Sequence, residues 1–309
     1  MIKKTAADLS GIISGEVLIS EPLSRHTTYK VGGEADILVC PENSEEAAQV
    51  YLYAYEKEIP LTMIGWGSNV IAPDDGMEGI VLKMKNPSAG IRNLGEGVIE
   101  VEAGVNLIDL AKHTAGEGLS GLEPVAGIPG TVGGAVMMNA GTNEGDMSCV
   151  LVSVDVITPA GRRYKIEKRD MSLGYRRSMF KQTDWLILSA RMSLSKGDPL
   201  ELGRNIDSIL RERMRKFPLD EANAGSVFKR PPGDYAGRLI EKAGCKGLRI
   251  GGAVVSERHA NFIVNSENAT ADDIIRLIAE VRRKVYTMSG IYLELEQIPL
   301  AGRTELKTG

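Results

Sequence analysis

Apolar residues recur along the chain with two periods, and the change from one to the other marks out its elements. Asn43-Ser44-Glu45-Glu46 reads as a capping box, after which Ala47, Val50, Tyr51 and Ala54 share one helical face. Pro60 predicts that this helix ends near Glu58. Residues 61–64 form a short apolar strand that runs straight into Gly65-Trp66-Gly67-Ser68-Asn69. Residues 79–84 predict another strand, and residues 98–103 alternate as a half-buried strand does. Asn106 caps a short helix carrying Leu107, Leu110 and Ala111, stopped by Gly116 and Gly118. Two strand patterns, 150–157 and 162–166, flank Thr158-Pro159-Ala160-Gly161, which predicts a hairpin. Residues 186–194 predict one more strand.

Lys196-Gly197-Asp198-Pro199 breaks the pattern and marks a domain boundary. A charged helix is predicted over 200–216, and its run Arg211-Glu212-Arg213-Met214-Arg215-Lys216 reads as a solvated face. Thr270 caps the last helix, with Asp272 and Asp273 favourable in its first turn. Ile274, Leu277, Ile278, Val281, Val285 and Met288 form its core stripe, Gly290 ends it, and a terminal strand is predicted over 291–295. The pattern is mixed, with a strand-rich middle, a smaller α+β unit after residue 199 and no internal repeat.

Composition narrows this picture in three ways. Glycine is enriched, 35 of 309 residues or about 11% against a usual value of about 7%, and the excess lies in short loops where a backbone can approach a ligand. The formal net charge of -4 argues against an enzyme that works on nucleic acid through a broad basic surface. Cys40, Cys149 and Cys245 lack a CxxC spacing, and His26, His113 and His259 lack a metal-ligand spacing, so neither disulfide framework nor metal is expected. The start has no apolar leader, and no run approaches the roughly 18 apolar residues of a membrane span, so a cytoplasmic protein is expected.

Three glycine loops carry the candidate chemistry: Val31-Gly32-Gly33-Glu34-Ala35-Asp36, Gly65 to Asn69, and Gly127-Ile128-Pro129-Gly130-Thr131-Val132-Gly133-Gly134. Backbone N–H groups in such loops, helped by a Ser or Thr hydroxyl, can cradle a pyrophosphate. One such loop is an ordinary turn; three, two of them with hydroxyls, favour a dinucleotide. No GxxxxGK[ST] occurs, which excludes a P-loop. The GxGxxG pattern begun by Gly65 fails at Val70, and Pro73-Asp74-Asp75-Gly76 makes a turn where a Rossmann helix would start.

Gly65 to Val70 and Gly127 to Ala135, with Asn139-Ala140-Gly141, resemble the FAD-binding loops of vanillyl-alcohol-oxidase-like (PCMH-type) flavoproteins. Within that group the chain resembles the UDP-N-acetylenolpyruvoylglucosamine reductase family from about residue 22 to 302. The resemblance includes Gly174-Tyr175-Arg176-Arg177-Ser178, Gly225-Ser226-Val227-Phe228-Lys229, His259-Ala260-Asn261-Phe262 and Leu293-Glu294-Leu295-Glu296. The quick passage from Phe180-Lys181 to the next strand is similar to the family's shorter subclass. The implied fold is α+β: two α/β subdomains for FAD, residues 1–84 and 85–198, and a smaller α+β substrate-binding domain, residues 199–296. Residues 297–309 are candidates to return to the first subdomain.

The resemblance further implies NADPH as reductant and UDP-N-acetylglucosamine enolpyruvate as substrate, reduced to UDP-N-acetylmuramate for peptidoglycan. A monomer with no membrane or nucleic-acid partner is expected. Gly65, Gly67, Ser68, Asn69, Gly127, Gly130, Thr131, Gly133 and Gly134 are the cofactor-binding candidates. Hydride addition to the enolpyruvyl group pushes charge onto its carboxylate side and leaves a carbon needing a proton. Arg176 suits the first need, since guanidinium matches a carboxylate at two points. Ser226 suits the second as proton donor. Glu296, the third catalytic candidate, would repel an enolate as carboxylate and is expected protonated or paired with Arg176. Glu294 should point to the opposite face of its strand. Lys229 and Arg230 are substrate-binding candidates, Arg230 standing where the family usually has Asn. Thr142-Asn143-Glu144 and residues 297–301 also depart from the family pattern. An FAD oxidase of the same fold and a non-catalytic nucleotide-binding protein are the competing readings, and FAD tethering through His26 is a minor one.

Overall fold

A computed structural model describes residues 2–85 and 90–303. The chain opens with helix α1 (Ile2–Ser10) and strands β1 (Glu16–Pro22) and β2 (Glu34–Cys40). Helix α2 (Ser44–Glu56) follows, capped as expected by the Asn43 carboxamide, which accepts from Glu46 N–H at 2.9 Å. The capping box is not closed, however. The Glu46 carboxylate accepts from the N–H groups of Glu42, Ser14 and Gly15 instead, so it ties the entering loop rather than the helix start. Strands β3 (Leu61–Ile64), β4 (Val70–Ile71) and β5 (Met77–Lys83) come next. One four-stranded sheet has the order β1-β2-β5-β3, and β3 and β5 run parallel with Leu61 opposite Ile80.

The strand-rich middle holds β6 (Ile91–Gly95), β7 (Val98–Glu102), helix α3 (Leu107–Gly116), β8 (Leu119–Ser120) and helix α4 (Val132–Met138). Then come β9 (Leu151–Ile157), β10 (Arg163–Glu167), β11 (Leu186–Ser193) and β12 (Ser195–Lys196). The expected hairpin joins β9 to β10, with Arg163 opposite Ile157 and Gly161 left-handed at φ 74°. A five-stranded sheet has the order β10-β9-β11-β7-β6. Its alternation is plain on β7, where Ile99 and Val101 enter the core. On the other face Glu100 stands opposite Arg92 on β6 and Arg191 on β11, and both arginines donate to its carboxylate.

The last part comprises α5 (Pro199–Lys216), α6 (Ala236–Lys242), β13 (Arg249–Ile250), β14 (Ala253–Val255), β15 (Ile263–Asn265), α7 (Ala271–Ser289) and β16 (Ile298–Pro299). Helix α7 has a complete capping box between Thr270 and Asp273 and ends at left-handed Gly290. Its stripe is buried through Val285, but Met288 is 44% exposed, because the last turn runs past the core. The expected strand over 291–295 is absent as a strand. Only Leu295 makes a bridge, to Phe228, and β16 lies further on, parallel to β4.

Two compact units emerge. The first comprises residues 1–19, 37–66 and 79–211, the second residues 20–36, 67–78 and 212–309. Each has its own apolar core: Leu9, Tyr51, Leu82, Val101, Val136, Val154 and Phe180 belong to the first, and Tyr29, Ile71, Phe228, Val255, Ile274 and Leu277 to the second. Within the second unit the turn at Pro73 that stands in place of a Rossmann helix caps a different one. The Asp74 carboxylate accepts from the N–H groups of Ala271 and Asp272 at 2.8 and 2.9 Å, 197 residues along the chain.

Candidate active site

In the first unit two of the glycine loops meet. A Cβ on Gly65 would lie 2.5 Å from Thr131 Oγ1 and 3.2 Å from Cγ2, so only glycine lets these loops touch. The loop of residues 127–134 is anchored on the segment after β7: Leu107 N–H donates to Gly130 O, Val132 N–H to Val105 O, and Gly133 N–H to Ala103 O at 2.8 Å. Thr131 is the N-cap of α4, its hydroxyl accepting from Gly134 N–H at 3.3 Å. The N–H groups of Val132, Gly133 and Gly134 are therefore spent inside the unit. Those of Gly127, Gly130 and Thr131 donate to no acceptor among the described residues. The result is a small cradle of backbone donors beside a contact that a side chain at Gly65 would fill, which fits the pyrophosphate of a dinucleotide.

The far end of α4 places Arg176. Asn139, left-handed at φ 42°, ends the helix, and its Nδ2 donates to Gly174 O and Asp146 Oδ2, both at 3.0 Å. Gly174 and Arg177 exchange both backbone bonds across a two-residue turn. Arg176 occupies that turn at φ 53°, a conformation that costs a non-glycine residue energy and here projects the guanidinium. Its Nη2 donates to Gly141 O at 3.1 Å, and its Cζ lies 5.1 Å from the Tyr175 ring centre. Ser178 Oγ donates to Met137 O at 2.6 Å and closes the turn onto the helix. Seven helical residues at about 1.5 Å each separate the cradle from this turn by roughly 10 Å. Thr142, the first of the departing residues, makes a tight return through a bond from its N–H to Gly145 O.

The second unit gathers the remaining candidates. Gly67 is left-handed at φ 68°, and a Cβ there would lie 2.4 Å from His26 O. Its carbonyl accepts from both the N–H and the hydroxyl of Thr28, at 3.1 and 3.3 Å. Asn69 Nδ2 donates to Glu296 O at 3.3 Å, and Ile298 N–H donates to Asn69 O. Glu296 N–H in turn donates to Val227 O at 2.9 Å, which sets the Glu296 backbone beside Ser226. The Ser226 hydroxyl is half-buried and makes no bond among the described residues.

Lys229 Nζ donates to Glu294 at 2.6 Å, and Glu294 is mostly exposed; with no strand formed over 291–295, the expected alternation of Glu294 and Glu296 across a strand does not apply. The Arg230 guanidinium lies 4.5 Å from the centre of the Tyr235 ring. His26 Nε2 is 2.9 Å from Glu21 Oε1. His259 packs between Phe217 and Phe262, where burial, with help from Lys216 and Lys246, pushes its pKa down.

Two residues that sequence reasoning left without a role hold the Ser226 segment. Asn261 accepts from Phe228 N–H at 3.0 Å and donates to Phe228 O at 2.8 Å, while its own carbonyl accepts from Val227 N–H. Buried Gln297, counted among the departures, donates through Nε2 to the carbonyls of Ala224 and Gly225. Two cavities of about 880 and 700 Å³ lie elsewhere in the first unit, on its outer strands, and none of the candidate residues lines them.

Comparison with known proteins identifies the family. A profile for an FAD binding domain matches residues 35–167, and one for the C-terminal domain of UDP-N-acetylenolpyruvoylglucosamine reductase matches residues 217–298. An FAD-dependent oxidoreductase is thereby defined as the class. The reductase of Exiguobacterium sibiricum is 44% identical over 286 residues, 93% of each chain, and that of Streptococcus thermophilus 43% identical over 296 residues, 96% of each. The crystal structure of UDP-N-acetylenolpyruvylglucosamine reductase from Thermus caldophilus superposes with a TM-score of 0.77 at 34% identity, covering 94% of this chain and all of that one. The chain belongs to the UDP-N-acetylenolpyruvoylglucosamine reductase family. Its α+β fold is the one the sequence resemblance implied.

Proposed function

We propose that this chain reduces UDP-N-acetylglucosamine enolpyruvate to UDP-N-acetylmuramate with bound FAD and NADPH, in peptidoglycan precursor synthesis. Family membership supports the reaction. The structural observation that carries it is Ser226, an unspent hydroxyl fixed on both sides by its neighbours' backbone bonds. FAD, when bound, would supply hydride chemistry to the enolpyruvyl double bond, with NADPH as reductant.

The chain's own residues do the rest. The N–H groups of Gly127, Gly130 and Thr131 hold the pyrophosphate, while Gly65, Gly133 and Gly134 serve by close packing. Gly67, Ser68 and Asn69 are further cofactor-binding residues. Arg176 steadies the substrate carboxylate as negative charge builds on it. Ser226 gives its proton to the carbon left electron-rich, and Glu296, protonated or paired with Arg176, stabilises the same charge. Lys229 releases exposed Glu294, a weak surface partner, to meet the substrate, and Arg230 adds a second cation. Residues 1–84 and 85–198 serve the cofactor and residues 199–296 the substrate, with the reductase C-terminal domain match falling on residues 217–298. No helix among the described residues is long and apolar enough to cross a membrane. The protein acts in the cytoplasm as a monomer.

Separated half-reactions test the proposal. In Ser226→Ala, NADPH still bleaches the flavin anaerobically, but reoxidation by the sugar slows by about 10²–10⁴-fold. A variant that reoxidises at the normal rate, or cannot be bleached, would remove the serine from its role.

A further inference from the structure

We infer that Gln297 is a positioning residue for the proton donor, holding the Ser226 loop in register with Glu296. This inference rests on the proposed roles of Ser226 and Glu296. Its evidence is a convergence of three bonds on one buried carboxamide. Gln297 is 3% exposed. Its Nε2 lies 3.1 Å from both Ala224 O and Gly225 O, and its Oε1 accepts from the fully buried Tyr29 hydroxyl at 3.1 Å. Two carbonyls can be met only by a group with two donors, and a primary amide is the neutral side chain that offers both from one nitrogen. The two carbonyls, which only accept, fix which way the amide faces, and the phenol then donates to its oxygen.

The consequence falls on the next residue. Gly225 is left-handed at φ 72°, and its N–H donates to Asn223 Oδ1 at 2.9 Å. With both carbonyls before Ser226 clamped and Val227 bonded on each side, the Ser226 backbone, and with it the point from which the hydroxyl projects, is held in place. Because Gln297 directly follows Glu296, whose N–H bonds to Val227 O, one side chain couples the two groups. Removing the amide frees the loop on one side and leaves the donor hydroxyl spread over several orientations.

Gln297→Met keeps the volume and loses all three bonds. Gln297→Glu keeps the acceptor edge toward Tyr29 but turns an oxygen on the two carbonyls. In both variants sugar-dependent reoxidation is expected to slow by about 10-fold to 100-fold while bleaching by NADPH stays within about twofold. Hydrogen exchange at Gly225 and Val227 should speed up in the protein without substrate. In Q297E the reoxidation rate should rise more steeply as pH falls than in the wild-type protein, since only the protonated carboxyl can donate to a carbonyl. Unchanged reoxidation, equal slowing of both half-reactions, or unchanged exchange in the variants would overturn the inference while leaving the Ser226 assignment intact. Normal reoxidation in Ser226→Ala would instead overturn that assignment, and this inference with it.

Discussion

Asn261→Ala gives the sharpest test of how the substrate-side residues are held. The Asn261 side chain occupies both polar groups of Phe228, accepting from its N–H and donating to its carbonyl. Phe228 is 2% exposed and Asn261 7%, so water reaches neither group easily. Leaving one buried donor or acceptor unmade costs about 1–3 kcal/mol, and two on the same residue give about 2–6 kcal/mol before relaxation. A water entering the space of the lost carboxamide recovers part of this, so we expect a net loss of about 2–4 kcal/mol. At roughly 3 °C per kcal/mol for a unit of this size, the melting midpoint should drop by about 6–12 °C. Urea unfolding at 25 °C, followed by fluorescence, measures the free energy directly. A shortfall below about 1 kcal/mol would show that the bonds on Phe228 are not what holds the segment.

Glu100→Gln should destabilise the first unit by about 1–3 kcal/mol. Burial pushes the Glu100 carboxyl up, but the bonds from Arg191 and Arg92 outweigh it and hold it below the usual range, with the exposed arginines weakening the effect. The stability it contributes is present at neutral pH and lost as pH falls below the ordinary carboxylate range, a loss the variant should not show in acid melts. His259 works in the same direction at higher pH. Its folded pKa is depressed, so as pH falls through about 6.5 the unfolded chain takes up a proton that the folded one refuses. Melting midpoints should decline from pH 7 toward pH 5, and His259→Gln should flatten that decline; an equal slope in both proteins would assign it to other groups.

What could be read from sequence was whatever depended on neighbours in the chain. The caps at Asn43, Asn106 and Thr270 stand where expected, because a cap needs only the next three residues. The glycine loops were legible for the same reason. Partners chosen across long distances were not. Nothing near Asp74 foretells that it caps a helix beginning at Ala271, and nothing near Gln297 foretells Ala224. The polar motif around Asn261 could have been found by asking why a carboxamide sits beside Phe262 and ahead of the apolar Ile263 and Val264, since such a residue is tolerated in a core only when its bonds are met. The predicted strand at 291–295 failed because alternation alone does not supply a partner strand; what exists there is one bridge and two flanking bonds.

Helix α4 acts as a ruler. Its start carries the Thr131 cap and its end the Asn139 anchor of the Arg176 turn, so the number of residues between them sets both a span and a phase. Adding one residue would lengthen it by only about 1.5 Å but turn Asn139 through about 100°, away from Gly174. Length variation among relatives should therefore gather in the return after Gly141, which can absorb it, and spare the seven residues of the helix.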